Sequence, residues 1–184
     1  MKRVTIPDTD LTVSNICYGA AYCAFEDEAR YFECLDNFIY LGGNFIDTAN
    51  IYGKWLDHGK NSNEIMLGNW MRQRSNRGDI VLASKAAHPD LATMNVPRIS
   101  YEEITCDLEE SLTALQTDYL DILWLHRDAE NIPAEEIEPF LNSAPPKSEH
   151  TMRDKPLFLA FAHPWASGST RHVGIPWSSN PLDT

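Results

Sequence analysis

Residues 79–126 read DIVLASKAAHPDLATMNVPRISYEEITCDLEESLTALQTDYLDILWLH, a strand, a helix and a second strand in order. Asp79 to Ser84 is an apolar, β-branched run of strand length. Ser100 stands three residues before Glu103, the spacing of a capping box, and Ile104, Leu108, Leu112 and Leu115 recur behind it on one helical face. Tyr119 to Leu125 is again a strand. Strands that alternate with helices at this rhythm belong to a parallel sheet with helices packed outside it.

The same unit recurs on both sides. Asn44 to Asp47 is a short strand, and Asn61, three residues before Glu64, opens a helix through Met71. From Glu26 to Leu41 the residues Phe32, Leu35, Phe38 and Ile39 keep helical spacing, and Gly42-Gly43 supplies the stop. The chain starts as a hairpin, Arg3 to Ile6, a turn at Pro7 to Asp10, then a strand from Leu11 to Tyr18 ended by Gly19. Ala134 to Leu141 begins one more helix. A closed eight-fold barrel and an open doubly wound sheet both fit. About four strand-helix units are visible in 184 residues, whereas a full barrel takes about 250. The expected fold is therefore α/β, a partial (β/α)8 TIM barrel over residues 1–142.

Residues 143–184 form a Pro-rich tail without sustained helical period; six of the eleven prolines lie beyond Leu141. Leu157 to Ala162 is a candidate strand bracketed by Pro156 and Pro164. The tail reads either as packed but irregular or as disordered.

Fifteen basic residues against 27 acidic ones give a net charge of -12, which argues against a nucleic-acid partner and favours small molecules. No apolar run reaches the roughly 20 residues of a membrane span, and MKRVTIPDTD has no signal-peptide core, so a cytoplasmic address is expected. Cys17, Cys23, Cys34 and Cys106 show no C-x-x-C spacing and His58, His88, His150, His163 and His172 no ligand spacing; no metal is expected.

In parallel α/β folds the reactive groups gather where strands end at their C-terminal side, which here means Gly19, Asp47, Lys85 and His126. Taken singly, Asp47 reads more readily as a turn cap, Lys85 as a surface cation and His126 as a satisfied polar residue. Taken together they end three different strands and converge on one mouth, with Tyr52 five residues beyond Asp47.

Here the chain resembles the aldo-keto reductase family. GGNFIDTANIYG, residues 42–53, is similar to that family's signature with its Asp and Tyr, and NEIMLG, residues 63–68, to the helix that follows. LTVSNICYG at 11–19, IVLASK at 80–85 and the segment 100–127 resemble its first strand, the strand ending in its lysine and the unit ending in its histidine. The resemblance covers about residues 3–142. It implies that Tyr52 is the general acid protonating a carbonyl oxygen as hydride arrives from NADPH. A free tyrosine has a pKa of about 10, so a neighbouring cation has to stabilise its phenolate. Lys85 is implied as that cation, Asp47 as its orienting partner and His126 as the group that hydrogen-bonds the substrate carbonyl. Gly19 and Asp47 are implied as cofactor contacts, and Tyr22, Trp55 and Trp124 are candidate walls of an apolar substrate pocket, with core packing as their alternative.

Members of the family hold NADPH mainly with the second half of the barrel. RHVGIPWSSN, residues 171–180, resembles one of those strands only faintly and carries no cofactor residue across. The resemblance thus implies an NADPH-dependent carbonyl reductase of aldehydes or ketones in truncated form, inactive by itself. The alternative is a non-catalytic relative serving as an interaction or regulatory module. Open strand edges at both ends of a half barrel invite self-association. An open nucleotide-binding sheet fits less well, because no G-x-G-x-x-G follows the first strand.

Overall fold

The alternating pattern becomes a sheet of five parallel strands. The computed structural model describes residues 1–7, 9–21 and 27–127 and the backbone of one further strand at 158–161. The elements are β1 Arg3–Thr5, β2 Thr12–Ser14, β3 Cys17–Gly19, α1 Glu28–Tyr40, β4 Phe45–Asp47, α2 Ser62–Arg74, β5 Val81–Ala86, α3 Tyr101–Leu115, β6 Ile122–Leu125 and β7 Phe158–Phe161. Strands β3 to β7 lie side by side in chain order, every neighbouring pair parallel, and β1 and β2 form a separate antiparallel hairpin. This is the arrangement of a TIM barrel followed part of the way round; the described strands do not close.

Leu11 to Tyr18 is not one strand. The Ser14 hydroxyl donates to the Ile16 carbonyl at 2.7 Å, and the Asn15 N–H turns back to the Lys2 carbonyl at 2.9 Å, which breaks the run between β2 and β3. Asn44, just before β4, clamps the break: its side chain accepts the Ser14 N–H at 2.7 Å and donates to the Thr12 carbonyl at 3.0 Å. Asp79 belongs to a 3-10 turn, Arg77–Asp79, so β5 starts two residues later than its composition suggests and takes in Lys85. Tyr119, Leu120 and Asp121 precede β6, and α2 runs to Arg74, where Ser75 ends it in a left-handed conformation.

Both expected helix caps form. The Asn61 side chain accepts the Glu64 N–H at 3.1 Å, and Ser100 and Glu103 bond reciprocally. The candidate strand in the Pro-rich tail is present as β7, paired with β6 from Ile122↔Phe158 to Leu125↔Phe161. The helix expected from Ala134 to Leu141 lies outside the described residues.

Alternation along the strands builds two layers. Ile46, Leu82 and Leu123 point outward into the core beneath the helices, with Leu35, Met66, Leu67, Trp70, Ile104 and Leu115 nearly inaccessible. Val81, Ala83 and Ile122 point the other way and pack with Val13 of the hairpin and with Phe45 and Trp124.

Candidate active site

The inward row is also the row that carries polar groups, because side chains two apart share a face of the sheet. Phe45 is followed by Asp47, Ala83 by Lys85, and Trp124 by His126. Gly19 sits opposite Asp47, Asp47 opposite Ala83, and Lys85 opposite Trp124. Lys85 therefore lies one pleat above Asp47, and His126 one pleat above Lys85, a staircase rising along the rim. All four residues expected at strand ends lie at the same end of adjacent strands. They border a cavity of about 480 Å³ with Cys17, Phe45, Trp124 and Leu125.

Tyr52 reaches this rim from the loop after β4. Thr48 and Asn50 continue the strand by donating to the carbonyls of Ala83 and Lys85 at 2.9 and 3.1 Å, and Tyr52 then turns, its N–H on the Ala49 carbonyl at 3.0 Å. Gly53 makes the turn possible: its φ is +95°, and a side chain there would strike Ser62 at the start of α2.

The Lys85 ammonium is the centre of the cluster. It donates to Asp47 Oδ2 at 2.5 Å, to the Thr48 carbonyl at 2.7 Å and to the Tyr52 hydroxyl oxygen at 3.2 Å. An ammonium has three donors and no acceptor. All three are engaged, so the Tyr52 oxygen accepts and its own proton is directed elsewhere. Burial holds the Asp47 carboxyl above the ordinary carboxylate range, and the Lys85 ammonium pulls in the opposite direction.

His126 follows β6, its N–H on the Ala86 carbonyl at 2.8 Å. Its ring meets Tyr52 edge-on, 5.8 Å between centroids. Burial first, then the electrostatic influence of His88, Lys85 and Arg127, pushes its pKa down to about 3. The imidazole is neutral at physiological pH.

Of the expected pocket walls, Trp124 lines the cavity with a buried indole N–H that has no partner among the described residues. Trp55 packs edge-on against Tyr52 at 6.0 Å and is 52% exposed, bordering the tyrosine from outside the cavity lining. Tyr22 lies outside the described residues. The Thr48 carbonyl, Gly53 and His88 were not singled out as site groups; only His88, three residues beyond Lys85 at a strand end, left a signal that could have been read. A larger cavity of about 1010 Å³ opens between the C-terminal ends of α2 and α3, at the opposite end of the strands and away from this cluster.

A parallel strand-helix arc with a Tyr-Lys-Asp-His cluster at its C-terminal rim defines an α/β protein of the barrel class. The sequence model of the Aldo/keto reductase family matches residues 15–178, and the chain belongs to that family. The match runs well past residue 142, where the recognisable blocks end. Norsolorinic acid reductase B of Aspergillus parasiticus is 35% identical over 138 residues, 67% of this chain and 35% of that protein. The uncharacterized oxidoreductase YrpG of Bacillus subtilis is 35% identical over 145 residues, 74% of this chain and 43% of that one. Among solved structures, a holo-form aldo-keto reductase from Bacillus halodurans superposes with a TM-score of 0.64 at 26% identity, covering 86% of this chain and 50% of that chain. The matched segment thus spans half or less of each of these relatives.

Proposed function

We propose that Asp47, Tyr52, Lys85 and His126 form the proton-transfer site of an NADPH-dependent reductase of aldehydes or ketones. The observation that carries this reading is the Lys85 ammonium, fixed by Asp47 and the Thr48 carbonyl and donating to the Tyr52 hydroxyl at 3.2 Å. With its oxygen occupied by Lys85, Tyr52 gives its proton to a carbonyl oxygen in the mouth. The Lys85 ammonium, 3.2 Å away, then faces the negative charge left on the tyrosine oxygen. The neutral His126 donates to the same carbonyl oxygen and sets its angle. Its Nδ1 is buried with no hydrogen-bond partner among the described residues, and a proton on Nε2 leaves a lone pair there, not an N–H, unpaired.

The cavity fits the reacting end of the cofactor. Open space surrounds the position of a side chain at Gly19, beside the Asp47 carboxylate, and these two would hold the nicotinamide edge. NADPH, when bound, supplies the hydride.

The test is a titration of the purified chain with NADPH followed by tryptophan fluorescence, then 4-nitrobenzaldehyde and the loss of nicotinamide absorbance. Turnover that drops about 10²- to 10⁴-fold in Tyr52→Phe, the range for losing a general acid, supports the reading. Turnover unchanged by Tyr52→Phe overturns it. Absence of any response to NADPH favours the other reading, a non-catalytic interaction module.

A further inference from the structure

Lys85 is fixed by three hydrogen bonds, but the His126 ring is held differently. Its Nδ1 has no partner among the described residues, so its orientation depends on what packs against its faces and edges. Tyr52 is one such neighbour. His88 is a closer one, its ring 4.7 Å from that of His126 at an interplanar angle of 73°. Edge-to-face pairs at this separation are directional contacts.

The turn that carries His88 is itself braced. Ala87 is a buried, non-glycine residue with φ +65°, a conformation kept only where the surroundings impose it. Asp107 of α3 imposes it by accepting the Ala87 N–H at 2.9 Å. Arg98 bridges the same carboxylate, at 3.0 and 3.3 Å, to the His88 carbonyl at 2.9 Å. Finally, His88 Nδ1 lies 2.7 Å from the Pro89 carbonyl, which can only accept, so Nδ1 carries the proton and the ring cannot spin freely. The backbone at Ala87 and His88 is thus held by Asp107 and Arg98, the ring by the Pro89 carbonyl, and among the described residues that ring packs edge-to-face on His126.

We propose that His88 is a positioning residue: clamped by Arg98 and Asp107, its ring sets the orientation of the His126 imidazole at the carbonyl site, and through that orientation which ring nitrogen stays buried and unprotonated. The inference rests on the reductase reading only for what His126 does to substrate. The titratable and charged neighbours of His126 are His88 and Lys85 from β5 and the turn after it, Tyr52 from the loop after β4, and Arg127 beside it in the chain.

The experiment is nitrogen NMR of the full chain labelled at its histidine rings, with the His126 signals assigned by their loss in His126→Gln. In the parent chain His126 shows two well-separated ring nitrogens, the pattern of one neutral tautomer. His88→Phe keeps an edge-to-face ring and is expected to keep that pattern. His88→Leu keeps the bulk without the ring and is expected to move the two signals toward their average, with His58 unchanged. Asp107→Asn, which weakens the clamp, is expected to do the same in part. A His126 pattern identical in His88→Leu and the parent overturns the proposal, and so does its equal loss in His88→Phe and His88→Leu. The measurement needs no cofactor, so failure to bind NADPH would sink the reductase reading alone.

Discussion

Folding lowers the His126 pKa and so links stability to pH. Its pKa falls from about 6.5 in an unfolded chain to about 3 in the folded one. Between those values the unfolded state binds a proton that the folded state refuses, so stability rises with pH. The contribution is present above about pH 6.5 and is lost progressively as pH falls toward 3. His126→Gln removes that dependence. Urea unfolding at pH 7 and pH 5 is expected to show a larger loss of stability in the parent chain than in His126→Gln; equal losses would mean that His126 titrates normally. The arrangement that depresses the pKa is the one the proposed mechanism uses, since a neutral imidazole can donate without competing for the proton that Tyr52 delivers.

At the scale of elements, the helices stand where they do because of contacts that periodicity does not reveal. Gly68 lies in the middle of α2, where a glycine ordinarily weakens a helix and Gly→Ala ordinarily strengthens it by up to about 1 kcal/mol. Here a Cβ would meet the Ala114 carbonyl oxygen at 2.5 Å and the Leu115 carbonyl carbon at 2.7 Å, both backbone atoms of α3 and unable to swing away. The sign reverses. Gly68→Ala is expected to destabilise the fold by about 1–3 kcal/mol, as overpacking does, and a chemical denaturation midpoint at or above the parent's would refute this close crossing. The helix α2 also carries Glu64, fully buried, with its oxygens on Ser84 and Asn61, so the helix that follows the Tyr52 loop is tied directly to the strand that bears Lys85.

Across the whole molecule the two ends of the sheet do different work. At the end opposite the candidate site, Asp121 accepts the Leu82 N–H and pairs with Arg77, each at 2.9 Å, while Arg77 also donates to the carbonyls of Ile80 and Tyr119 and stacks 3.8 Å from the Tyr119 ring. Asp121 is 7% exposed. Removing one partner of a buried pair leaves an uncompensated charge, so Asp121→Ala is expected to cost about 3–5 kcal/mol in urea unfolding. The far-UV circular dichroism of the folded protein and its response to NADPH are expected to stay as in the parent, because nothing in this network touches Lys85 or Tyr52. A loss of less than about 1 kcal/mol would show that the pair is solvated and not structural.

Much of this was determined by the sequence alone. The N-cap at Asn61, the capping box at Ser100 and the apolar faces behind them are local patterns, formed by residues a few positions apart, and they placed the starts of α2 and α3. Strand polarity and the shared end of Gly19, Asp47, Lys85 and His126 followed from the alternation of elements. The short strand at 158–161 was visible as an apolar run between prolines. What tertiary structure alone decided are relations between distant segments. The break between Ser14 and Cys17 depends on Asn44, thirty residues from Ser14. The engagement of all three Lys85 donors depends on a carbonyl at Thr48 that any residue type would present. The role of His88 depends on Arg98 and Asp107 meeting behind it. Backbone acceptors and cross-element clamps leave no periodic trace, because they select for position in space and not for spacing along the chain.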